Sequence, residues 1–127
     1  MNGAHIRSLI AATAALLGYG GWAWFANSGA GDAAATKAAF VQGGYSFVLT
    51  FVMTYVTEWL YCYTGGRGWF TTFLSSFLLL VSAYSIHRLA GTPEVAMTIA
   101  PGFIIGTVYT AFFVAYLKGL NSPATTE

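Results

Sequence analysis

Charge is what this chain has least of. Among 127 residues there are five Lys or Arg and four Asp or Glu, 7% of the total, for a formal net charge of +1. Soluble domains carry roughly 25% charged residues, and a chain this small has too much surface to cover with so few. A water-soluble domain is excluded on that ground. Five scattered cations make no basic patch, so nucleic acid is excluded as a partner. Cys62 is the one cysteine, and no disulfide can form within the chain. No phosphate loop, dinucleotide glycine fingerprint or metalloprotease helix motif occurs, and His5, Cys62 and His87 lack zinc-ligand spacing. No cofactor, metal or catalytic residue is expected, and enzyme activity is the least supported class. What the chain does have is apolar surface: 57% of residues are hydrophobic and 17% aromatic. That excludes disorder, which needs low hydrophobicity.

The fold class that remains is an all-α integral membrane protein. A compact antiparallel four-transmembrane-helix bundle is expected, as a single membrane domain over 1–127. The apolar runs place the spans at about 6–25, 39–62, 69–86 and 95–117, each near the roughly 20 residues that cross the hydrocarbon. A flexible tail is expected over 119–127. A barrel is excluded because residues 45–53 show no period of two and four strands cannot close in lipid. Arg7, the run Leu9 to Leu17 and the small residues near Ser28–Ala30 also resemble a signal peptide. The run continues through Trp22, Trp24 and Phe25, so an uncleaved first span is expected. In the one long connection, Asp32 before three alanines reads as an N-cap. The second helix is then expected to start near Ala33 and to measure roughly 45 Å, long enough to tilt or project.

Four spans put both termini on one side, together with Arg7, Arg67 and Lys118; Lys37 and Arg88 fall on the other. The positive excess predicts cytoplasmic termini, in a membrane of the bacterial inner (plasma) type.

Within lipid, small residues and hydrogen bonds hold helices together. Every span supplies them. Gln42, Ser46, Thr50, Thr54 and Glu58 follow one another at four-residue steps on the second helix, which draws a slightly slanted polar line. It reads either as a substrate path or as a packing seam. Gly18, Ser75, Ser82, Thr98, Gly102, Gly106 and Thr110 are expected packing positions, with Pro101 as a bend or hinge. Glu58 is the one acid within a span, placed near an interface. It reads as a carboxylate for a cation, cationic headgroup or proton, or else as an interfacial anchor. Lys37, His87 and Arg88 are candidate headgroup or phosphate contacts, although a helix C-terminus alone attracts cations. In size and plan the chain resembles small multidrug exporters. It lacks the acidic residue usual in their first helix, and the family is not assigned. The functional expectation is transport, or handling of lipid or small solutes in the bilayer. The alternative is an accessory or assembly subunit of a larger membrane complex. Expected partners are membrane lipids and either further copies of the chain or that larger complex.

Overall fold

The computed structural model describes residues 3–122. Four helices account for nearly all of them: α1 (Gly3–Asn27), α2 (Asp32–Tyr63), α3 (Gly68–Ala90) and α4 (Val95–Leu120), with a single 3-10 turn at Ser28–Ala30. No strand occurs among the described residues. All four helices are long and apolar enough to cross a membrane. Each contains its expected span and extends beyond it. Gly119 and Leu120, expected in the flexible tail, belong to α4, while 123–127 lie outside the described residues.

The long second helix begins one residue before Ala33. Asp32 is its first residue and not its cap: the cap position is Gly31, at φ 99°, with no side-chain capping bond. A side chain is disfavoured at that φ, so glycine takes the cap, and Asp32 places its carboxylate in the first turn, where the helix dipole favours it. At about 1.5 Å per residue, the 32 residues of α2 reach well past a hydrocarbon core of about 30 Å.

The two short connections are built alike. Gly65 and Gly91 stand in the left-handed region at φ 67° and 72°. At each, the amide of the residue after that glycine returns to a carbonyl in the last turn: Gly66 N to Tyr61 O at 2.9 Å, and Thr92 N to His87 O at 3.0 Å. This is the Schellman closure, which satisfies orphan carbonyls and reverses the chain sharply. Both hairpins follow from these glycines.

α1 lies along α2, and α3 along α4. α2 also touches α3 and α4, and α1 touches α4, but α1 and α3 do not meet among the described residues. The α1–α2 contact is a close backbone approach. A Cβ on Gly43 would stand 2.9 Å from the Leu16 carbonyl oxygen, and one on Gly20 would stand 3.1 Å from that of Ala39. Gly18, an expected packing glycine, has nothing within 4 Å of its Cβ position. The contact falls two residues further on, at Gly20.

Candidate functional site

The site is built from the last turn of α3 upward. His87 is completely buried. Because the Gly91 closure draws Thr92 back over that turn, the Thr92 hydroxyl lies 2.8 Å from His87 Nδ1. The other ring nitrogen, Nε2, is 2.6 Å from Oε1 of Gln42, which is also buried. An amide oxygen can only accept, so Nε2 carries a proton and donates it. In the neutral imidazole Nδ1 then accepts, and Thr92 is its donor. Gln42 in turn donates from Nε2 to Ser46 Oγ at 3.5 Å. Donors therefore run in one direction, from Thr92 through His87 and Gln42 to Ser46. Like-oriented hydrogen bonds in a medium of low dielectric strengthen one another.

Ser46 stands in the wall of a cavity of about 410 Å³ to which all four helices contribute. α1 supplies Ala11, Ala15 and Tyr19, and α3 supplies Leu79 and Ala83. α2 lines it from Tyr45 to Thr54, and α4 from Ile99 to Tyr109. Among the described residues, no acidic, basic or histidine side chain is in the lining. The volume is within the range that holds small organic ligands, roughly 300–1,000 Å³. Most polar groups in the wall are already engaged. The Tyr45 hydroxyl shares a 2.6 Å bond with Ser82 Oγ, Thr50 donates to the Ser46 carbonyl at 2.7 Å, and Thr54 pairs with the Tyr109 hydroxyl at 3.0 Å.

The expected polar line is only half inside. A four-residue step on an α-helix turns about 400°, an overshoot of about 40°. From Gln42 to Glu58 the line therefore rotates by about 160°. Gln42 and Ser46 are buried, Thr54 is half-buried, and Glu58 faces outward and lines no part of the cavity. Thr57, about 60° from Gln42 by the same rule, is the buried residue at that level. The three expected headgroup contacts also separate: Lys37 and Arg88 face outward, while His87 is enclosed with both nitrogens bonded within the protein.

A second polar cluster ties α1 to α4. Buried Asn27 donates to Thr98 Oγ1 at 2.7 Å and accepts the Glu94 amide at 2.9 Å, which satisfies an orphan N–H at the start of α4. Thr98 donates to the Glu94 carbonyl at 2.6 Å. One turn on, Pro101 has no N–H to offer the carbonyl four residues back, that of Met97. The Trp22 indole donates to that carbonyl instead, at 2.8 Å. Pro101 is therefore part of a cross-helix clamp. The remaining packing positions sit between helices. A Cβ on Gly102 would be 3.3 Å from Gln42 Nε2, and one on Gly106 would be 2.6 Å from Leu79 Cδ2. Ser75 and Thr110 are fully buried; Thr110 bonds its own helix at 2.8 Å, while Ser75 Oγ, like Thr57 Oγ1 and Ser76 Oγ, has no partner among the described residues.

Sequence reasoning overlooked Asn27, Thr92 and the Trp22–Met97 bond. Asn27 and Thr92 sit in connections that read as turns. The bond had a signal, since any proline inside a helix frees the carbonyl four residues earlier. Compared with family models, curated proteins and solved structures, the chain matches none of them.

Proposed function

We propose that the four helices cross a lipid bilayer as a compact antiparallel bundle, and that the protein takes up a small lipid or apolar solute in the cavity among them, for transport or for handling within the membrane. The observation that carries this reading is the uncharged, partly open cavity of about 410 Å³ lined by four apolar helices. Such a lining offers dispersion and apolar burial and rejects an ionised ligand. Entry is lateral, between α1 and α4. The hydrogen bonds between these helices involve Trp22 and Asn27 at one end of α1. The cavity wall on α1 extends away from that end, to Ala15 and Ala11. The test is native mass spectrometry of protein extracted in mild detergent, with Ala15→Phe as the cavity-filling variant. A bound small lipid that disappears in the variant supports the reading. A wild-type protein without bound lipid, whose stability no added apolar solute raises, refutes it.

The second reading, an accessory subunit or homo-oligomer, is favoured by the outward stripe Ala14, Gly18 and Gly21 on α1. Small residues at helical spacing permit close approach of another helix in lipid. The same mass spectrum distinguishes this reading by its mass. The orientation reading places the termini and the Arg67 turn in the cytoplasm of a bacterial-type inner membrane. Cys62 is exposed at that end. A membrane-impermeant maleimide then labels it in inverted vesicles and not in intact cells.

A further inference from the structure

Hydroxyls on these helices usually donate to the carbonyl of their own helix four residues back. Thr50, Thr72, Thr98 and Thr110 all do so. This bond is the cheapest way to satisfy an O–H in lipid, where no water is available. Ser46 departs from the pattern. Its oxygen accepts from Gln42 Nε2, an amide nitrogen that cannot itself accept, and its proton is given to no acceptor among the described residues. The side chain is more than nine-tenths buried, at 5% exposure, and lies in the cavity wall. A donor left unbonded at such a place is destabilising. The directed chain behind it, Thr92 to His87 to Gln42, ends on the same hydroxyl and leaves its proton as the part not yet bonded.

We infer that the cavity binds an uncharged lipid by its carbonyl oxygen, which accepts the Ser46 hydroxyl proton, while the aliphatic part lies along Leu49, Met53, Phe103 and Ile105. The inference rests on the cavity reading above and adds the chemistry of the polar end. An ionised head finds no counter-charge in this lining. A ketone, ester or quinone oxygen only accepts, which complements the undonated proton of the Ser46 hydroxyl.

The test compares dodecyl methyl ketone, tetradecane and myristate as probes of the full-length protein in detergent micelles. Apparent dissociation constants are taken from the rise in melting temperature with probe mole fraction. The ketone is expected to bind about tenfold tighter than the alkane, the upper part of what one hydrogen bond contributes. Ser46→Ala is expected to erase that preference and leave alkane binding intact. Ser46→Cys keeps the shape with a weaker donor, reduces the preference, and serves if the alanine variant does not fold. Thr72→Val, at a hydroxyl that bonds its own helix and lines no part of the cavity, leaves the preference unchanged. Equal binding of ketone and alkane, or tightest binding of myristate, overturns the carbonyl assignment while the cavity reading stands. Failure of every probe to raise the melting temperature overturns both.

Discussion

Replacing Trp22 by Phe tests the clamp around Pro101 most directly, because the structure says what the indole is for. The Met97 carbonyl has lost its helical donor to the proline, and the Trp22 N–H supplies one at 2.8 Å. Phe keeps much of the ring area and removes the donor. A net hydrogen bond is worth about 0.5–1.5 kcal/mol, and those between helices of membrane proteins average about 0.6 kcal/mol with a ceiling near 1.7. Trp22 is 36% exposed, so the loss belongs in the middle of that range, about 1 kcal/mol. The control is Pro101→Ala, which restores an N–H four residues beyond Met97. In that background the carbonyl keeps a partner when the indole is removed. Trp22→Phe should then cost about 0.3 kcal/mol or less, a coupling of about 0.7 kcal/mol. The assay is denaturant unfolding of the four proteins in one detergent, followed by helical circular dichroism. An equal loss in the two backgrounds would refute the clamp and leave Trp22 as an interfacial aromatic.

Neighbouring glycines on α2 should respond with opposite signs. Gly44→Ala has nothing within 4 Å of its Cβ and should stabilise the helix by about 0.5–1 kcal/mol, while Gly43→Ala meets the Leu16 carbonyl at 2.9 Å and should lose up to about 2 kcal/mol net through overpacking; melting temperatures in detergent decide. Gln42→Leu strands the buried His87 Nε2–H and should lose about 1–3 kcal/mol, whereas adding His87→Phe to it should recover part of the loss, because removing both partners is gentler than removing one; a double-mutant cycle in unfolding free energy measures this. Glu58→Gln, outward-facing and away from the cavity, should stay within about 0.5 kcal/mol of the parent and keep its affinity for the ketone probe, as the same thermal titration will show.

Fold class was legible in the sequence because it depends on sums. Few charges, long apolar runs and glycines at the two short connections suffice to give four helices joined by sharp turns, and these properties survive any detail of packing. Helix ends were less legible. Asp32 looked like a cap, and the cap went to Gly31 because the chain arrives there with positive φ, a property of the preceding turn that residue identity does not reveal.

The site was legible only in part. The step from Gln42 to Ser46 could be read from spacing, and so could the drift that carries Glu58 to the outside, once the overshoot per step is counted. The partners could not. His87 is 45 residues from Gln42, and Asn27 is 71 from Thr98. Only the relative rotation and depth of packed helices bring such pairs within bonding distance, and one residue of slip would replace them. The sequence by itself determined that this chain forms long apolar helices, because hydropathy and backbone satisfaction are local properties. The tertiary structure alone decided that the histidine in the last turn of α3 is buried, that a tryptophan replaces a proline's missing donor, and that a buried serine hydroxyl stands in a cavity wall. Each of these depends on which atoms of distant segments share a few ångströms.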